Sequence, residues 1–214
     1  MMINYKIKIV DDFLEAQDFK ELSIYAKNLN NDDSIHVYHN EIDLNNKILN
    51  ASIDKSLLIR LNKKYLEKGI SILKELNEEK VKLIDYSDFT IIKTKKNKKF
   101  PIHDDTFNKL LSGVVYLYPE KNIGTIFYNT KKGKDKNVTE WKINRAVFFS
   151  RIEGETWHSY ESDSNNDRIT LVFNLMTKEK NLKKILDIEK KNYFFGKLRY
   201  KINPFLYRFF GKII

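Results

Sequence analysis

FPIHDDT at 100–106 and ETWHSYESDSNNDRITLVFNLM at 155–176 are the stretches on which the reading of this chain of 214 residues turns. Each holds a histidine inside an extended, strand-like run. The chain has only four histidines, at 36, 39, 103 and 158, so half of them lie here. Side chains two apart on a strand project to the same side. His103 and Asp105 are therefore expected to share one face while Asp104 turns to the other. His158 is the only histidine downstream, and a later strand must bring it to that face. Arg168 is one of six arginines set against 33 lysines, and it opens the run RITLVF. Thr170 follows it on the same strand face.

These residue types point to a particular chemistry. Two imidazoles and one carboxylate on one face of an octahedron leave three positions open, the pattern of non-haem Fe(II) oxygenase sites. The planar fork of Arg168 suits a carboxylate in a way a lysine does not, and the Thr170 hydroxyl can add a hydrogen bond. Each piece also has a plainer reading. H-x-D pairs occur on surface strands, and Arg168 could pair with Asp163 or Asp167 across a turn, a weak exposed contact. Order, spacing and strand context together favour the site.

On these residues the sequence resembles the Fe(II)- and 2-oxoglutarate-dependent dioxygenases, in particular their prolyl-4-hydroxylase-like branch. HDD at 103–105 is similar to the family's H-x-D, His158 to its distal histidine, and RIT at 168–170 to its R-x-S/T. GVVYLYP at 113–119 resembles the next core strand, which makes Tyr116 a candidate contact to 2-oxoglutarate. VDDFLEAQDFKEL at 10–22 resembles the usual opening strand and helix. The resemblance implies a double-stranded β-helix, or jelly roll, with Fe(II) on His103, Asp105 and His158. It further implies 2-oxoglutarate anchored by Arg168 and Thr170, O2 as oxidant and ascorbate as a possible reductant. Family members that halogenate lack the carboxylate, so Asp105 favours hydroxylation, with succinate and CO2 released. AlkB-type nucleic-acid demethylases carry a second arginine six residues after the first. Here that position is Asn174, which disfavours nucleic acid and leaves a small-molecule or peptidyl substrate. A non-catalytic, cupin-like binding protein is the alternative, and a modifier of lipid or sugar precursors at a membrane surface is another.

Composition bounds the surroundings. A length of 214 residues, 42 % hydrophobic content and 28 aromatics describe one packed globular unit. No cysteine is present, which excludes disulfides and thiolate metal sites. The start, MMINYKIKIVDDF, lacks the apolar run of a signal peptide, and no stretch approaches membrane-spanning length, so a cytoplasmic protein is expected. The net charge of +10 is concentrated at the end: residues 178–214 hold 11 Lys/Arg against 3 Asp/Glu. Lys, Asn and Ile all have A/T-rich codons, which weakens the charge as a sign of a polyanionic partner.

Along the chain, 3–10 reads as a strand and 12–29 as a helix. A second helix is predicted over 54–76, with Leu58, Leu61, Tyr65, Ile72 and Leu76 on one stripe and Gly69 as a place to break or bend. Residues 1–80 thus form a helical support. Strands are predicted at 82–93, 100–105, 112–118, 124–128, 139–143, 145–150, 155–160 and 168–175, the mainly β jelly-roll core of 81–177 with helices flanking it. The lysine-rich stretches 93–99 and 130–137 read as solvated hairpin tips or as a basic rim, and Lys93 is the reserve anchor for a carboxylate. His36 and His39 read as loop residues or as part of a substrate-covering segment. The basic, aromatic extension 178–214 is expected to end in two short helical pieces divided by Pro204. Its stretch 192–214 would pack on the barrel or a second subunit, or lie on an anionic membrane surface.

Overall fold

The computed structural model describes residues 3–29 and 35–210, the side chains of 204–210 excepted. The described elements follow the order β1 (Ile7–Val10), α1 (Ala16–Asn28), β2 (Ile35–Tyr38), β3 (Glu41–Asp43), β4 (Ile48–Asn50), α2 (Lys55–Asn77) and a 3-10 segment at Glu78–Leu83. Then come β5 (Tyr86–Thr94), β6 (Lys99–His103), β7 (Lys109–Tyr118), β8 (Ile126–Tyr128), β9 (Asn137–Val138), β10 (Ala146–Phe149), β11 (Trp157–Glu161), β12 (Arg168–Met176), α3 (Leu182–Ile188) and α4 (Tyr193–Phe210). The larger sheet has the order β1-β10-β7-β12-β5-β3-β4, with β2 also on β5, and the smaller has the order β6-β11-β8-β9. Every pairing is antiparallel. The architecture is a jelly-roll core with helices over the outer face of the larger sheet.

Alternation along the central strands separates core from cavity. On β12, Ile169, Leu171, Phe173 and Leu175 enter the main core, while Arg168, Thr170, Val172 and Asn174 line a cavity on the opposite face. On β5, Phe89 and Ile91 go to the core and Asp88, Thr90 and Ile92 to the cavity. Leu58, Leu61, Tyr65 and Ile72 of α2 are buried in the same core. Each such apolar side chain contributes on the order of 1.5–3 kcal/mol on burial. Helix α2 runs through Gly69 unbroken, and the glycine has a packing reason. A Cβ there would lie 2.8 Å from the Phe173 ring, so only glycine lets the helix approach β12 this closely.

Several sequence expectations are corrected. The first third of the predicted strand 82–93 belongs to the 3-10 segment and a short link, and the strand begins at Tyr86. No strand forms over 139–143, because Trp141 leaves the sheet: its ring stacks on Tyr116 at 4.3 Å and its Nε1 donates to the Pro119 carbonyl at 2.8 Å. Three short strands, β2 to β4, lie inside the segment expected to be a helical support. Helix α4 continues through Pro204, and the break comes earlier, around Lys190, whose φ is +54°. Pro204 lacks the N–H of one helical hydrogen bond, yet the helix runs on to Phe210. Leu182, Ile185 and Leu186 of α3 join the main core. The tail aromatics Phe205, Tyr207, Phe209 and Phe210 lie outside the described side chains, and residues 211–214 lie outside the described residues. No helix among the described residues is long and apolar enough to cross a membrane.

Candidate functional site

Strands β6 and β11 pair with His103 directly opposite His158, and the ring centroids are 4.2 Å apart. β6 ends at His103, so Asp105 lies in the following loop rather than on the strand, yet it reaches the same side. Its Oδ1 is 3.9 Å from His103 Nε2 and its Oδ2 is 3.9 Å from His158 Nε2. One ligand atom from each of the three residues lies within 4.8 Å of the others, and all three are buried. This is the one such group among the described residues.

The surroundings fix the protonation state a metal requires. His103 Nδ1 lies 3.0 Å from the Pro101 carbonyl and His158 Nδ1 lies 2.9 Å from the Thr156 carbonyl. A carbonyl can only accept, so each Nδ1 carries a proton and each Nε2 is the ring atom left toward Asp105. Burial, with the neighbouring His158, pushes His103 down to about 3. Burial alone would raise Asp105, but the Lys109 ammonium and the two imidazoles outweigh it and hold the carboxyl well below the usual range. Lys109 Nζ donates to Asp105 Oδ1 at 2.8 Å and Ser112 Oγ to Oδ2 at 2.7 Å. A histidine pushed towards its neutral form, His103, beside an ionised Asp105 suits a divalent cation.

Arg168 faces the same cavity, which holds about 210 Å³. The side chain is fully buried, and burial lowers its pKa. The rings of Tyr160, Trp141 and Tyr116 surround it at 4.9, 5.3 and 5.8 Å from Cζ. Nη1 lies 3.5 Å from Thr170 Oγ1, and Nε and Nη2 have no partner. Among the described residues no carboxylate pairs with it. Asp167 instead accepts from Lys96 N, and Asp163 from the backbone of Asn165 and Asn166. A buried guanidinium with unmatched N–H groups is costly unless an anion completes it.

The remaining expected residues fall as follows. Thr125, rather than Tyr116, lines the cavity; the Tyr116 hydroxyl accepts from Thr125 N at 2.8 Å. Lys93 donates to the Leu29 carbonyl at 2.8 Å, at the C-terminal end of α1. His36 lies against Tyr38 with the ring centroids 4.3 Å apart and the rings tilted by 34°, whereas His39 lines the cavity. Sequence reasoning missed Ser112, Lys109, Trp141, Tyr160 and Asp88. Ser112 and Tyr160 carried a usable signal, since each sits in phase with a recognised residue on its strand. Trp141 carried none, because it acts from a loop.

Behind the triad the C-terminal helices close a charged network. Asp104 turns away from the cavity and accepts from Thr156 Oγ1 and Gly154 N, both at 2.7 Å, and from Arg199 Nη1 at 3.2 Å. Glu189 binds Arg151 at 2.8 Å and Lys80 at 2.6 Å, and Arg151 Nε donates to the Asp105 carbonyl at 3.0 Å.

No family model matches the sequence, and no curated protein matches it. Solved structures do. A prolyl-4-hydroxylase of Pseudomonas putida aligns over 82 % of this chain and 94 % of its own, at 14 % identity and a TM-score of 0.56. The viral collagen prolyl hydroxylase of Paramecium bursaria Chlorella virus-1, in complex with 2-oxoglutarate, aligns over 82 % and 98 %, at 14 % identity and a TM-score of 0.54. A prolyl hydroxylase of Trichoplax adhaerens, in complex with a peptide fragment of the hypoxia-inducible factor oxygen degradation domain, aligns over 86 % and 87 %, at 12 % identity and a TM-score of 0.57. At these identities the likeness is one of fold. The chain has the fold of the prolyl-4-hydroxylases and other 2-oxoglutarate–Fe(II) oxygenases.

Proposed function

We propose that this chain is an Fe(II)- and 2-oxoglutarate-dependent dioxygenase that hydroxylates a small-molecule or peptidyl substrate. The observation that carries the reading is the pairing, in one cavity, of a buried two-histidine, one-aspartate group with a buried arginine whose Nε and Nη2 lack acceptors. His103, Asp105 and His158 would hold Fe(II) on one side and leave the cavity side open for ligands. Arg168, with Thr170, would orient the far carboxylate of 2-oxoglutarate through its two unmatched N–H groups.

Fe(II), 2-oxoglutarate and O2 together supply the oxidising power that places one oxygen atom in a substrate C–H bond and the other in succinate, with CO2 released. The protein's own residues aim that chemistry. Ser112 and Lys109 fix the Asp105 carboxylate, and the carbonyls of Pro101 and Thr156 fix both imidazole tautomers. Trp141, Tyr160 and Tyr116 keep water from the Arg168 guanidinium. Asn174, in place of a second arginine, argues against a nucleic-acid substrate.

Purified protein given Fe(II), ascorbate and 2-oxoglutarate is expected to form succinate slowly without added substrate, and His103→Ala should reduce this to background. Equal succinate from both proteins would overturn the oxygenase reading and leave a cupin-like binding protein.

A further inference from the structure

At the Asn174 end of β12 the cavity lining includes a carboxylate, Asp88, and an amide oxygen without a donor, Asn174 Oδ1, the reverse of the Arg168 end. Asp88, Asn174 and Ser112 form one row across three adjacent strands, since Asn174 pairs in register with Asp88 on β5 and with Ser112 on β7. Ser112 in turn holds Asp105. At ~4.8 Å between strands, Asp88 stands roughly 10 Å from the strand that carries Ser112. Arg168 lies six residues away along β12, roughly 20 Å at ~3.3 Å per residue.

The row has acceptor capacity to offer. Thr90 Oγ1 donates to Asp88 Oδ1 at 2.6 Å, and Asn174 Nδ2 donates to Asp88 Oδ2 at 3.2 Å. The carboxylate, an acceptor, fixes which end of the amide faces it, and the Asn174 Oδ1 left over is buried with no partner. Asn174 is 1 % exposed and Asp88 4 %. His39 Nδ1 lies 3.1 Å from Thr90 Oγ1, whose own proton goes to Asp88, so Nδ1 donates and Nε2 remains for the cavity. The titratable groups that face Asp88 are His39, Lys109 and Glu41. Lys109 is held by Asp105, and among the described residues no cation forms an ion pair with Asp88.

We infer that Asp88, Asn174 and His39 form a substrate subsite for a protonated nitrogen, an ammonium group carried by the substrate. The inference rests on the oxygenase reading for the word substrate, but the subsite itself does not. Burial raises the Asp88 carboxyl above its ordinary range, so its ionised form is costly without a partner. A cation beside Asp88 and the Asn174 Oδ1 offsets that cost, which a neutral or anionic group cannot do. The cavity is then bipolar: its cationic end takes the co-substrate carboxylate and its anionic end takes the substrate amine, with the metal-binding triad facing the same space.

The test uses 15N-labelled, full-length protein loaded with Zn(II), with and without 2-oxoglutarate. The Asn174 side-chain amide resonance, identified by its loss in Asn174→Leu, is followed while n-butylammonium, n-butanol or butyrate is added. n-Butylammonium should shift it saturably and bind roughly tenfold or more tightly than n-butanol, with butyrate inert. Asp88→Asn should remove the preference for the cation. No shift with n-butylammonium, an equal shift with n-butanol, or a preference that survives Asp88→Asn would each overturn the subsite. Failure of 2-oxoglutarate to bind the same sample would instead strike the oxygenase reading.

Discussion

The two sides of the β6–β11 pair treat charge in opposite ways. On the cavity side Arg168 has unmatched N–H groups and Asn174 an unmatched oxygen, and both imidazoles turn Nε2 toward Asp105. On the rear side the carboxylates are matched: Glu189 to Lys80 and Arg151, Glu153 to Arg151 and Arg199, and Asp104 to Arg199 and Thr156. Both sides are buried and both are ionic, so burial and charge alone do not mark a ligand site. Unfilled hydrogen-bonding capacity on groups that line a cavity does, because it is costly to bury unless a ligand completes it. The neighbours Asp104 and Asp105 serve the two sides from one tripeptide.

The largest expected effect lies on the rear side. Glu189→Ala leaves Lys80 buried without its carboxylate and Arg151 with Glu153 alone, and breaking a buried pair this way costs about 3–5 kcal/mol. Urea denaturation of the metal-free protein should read that loss directly. A loss below about 1 kcal/mol would mean that the network is no tighter than surface pairs, and the contrast between the sides would fail.

Arg168 should behave in the opposite sense. In the absence of co-substrate its guanidinium is a buried, incompletely bonded charge, so Arg168→Met is expected to leave the apo-protein as stable or stabilise it by about 1 kcal/mol. Arg168→Lys keeps the charge and loses the fork, so 2-oxoglutarate affinity should fall roughly 10- to 100-fold, or ~1.4–2.7 kcal/mol, while metal binding survives. Calorimetric titration of 2-oxoglutarate onto metal-loaded protein separates the two effects. An Arg168→Met protein destabilised like Glu189→Ala would make Arg168 a structural residue.

Much of this was legible because period-two patterning is strong where one strand face is core and the other is cavity. RITLVFNLM announces both faces of β12, and HDD places two acidic residues on opposite sides of one chain. Helix α2 was legible from its apolar stripe, within a residue at either end of 54–76. The rest depended on partners distant in sequence. β2, β3 and β4 have three or four residues each; β2 and β3 exist because β5 offers an edge and β4 because β3 does, which no local pattern records. TEWKI at 139–143 alternates like a strand, but Tyr116 and Pro119 claim Trp141. Asp88 lies unmarked inside the predicted strand 82–93, and only its register with Asn174, and through it Ser112, gives it a place in the cavity.

The smallest expected effects concern α4, whose two faces repeat the contrast on the surface. One face packs: Tyr200 meets the Phe107 ring edge-on at 4.5 Å, Gly196 lies against Leu186, and Arg199 reaches Asp104. The other leaves Phe194 and Phe195 69 % and 68 % exposed. Tyr200→Ala should therefore cost about 1–2 kcal/mol of stability, half-buried as its ring is. The double change Phe194→Ser and Phe195→Ser should stay within about 0.5 kcal/mol, since these rings lose little contact. Thermal denaturation of the two variants reads the difference. Sedimentation with anionic vesicles reads what the exposed face is for: a membrane contact through these rings would appear as salt-sensitive binding by the parent that the double variant loses at unchanged stability. Equal destabilisation by both changes would place Phe194 and Phe195 in the fold and remove the difference between the faces.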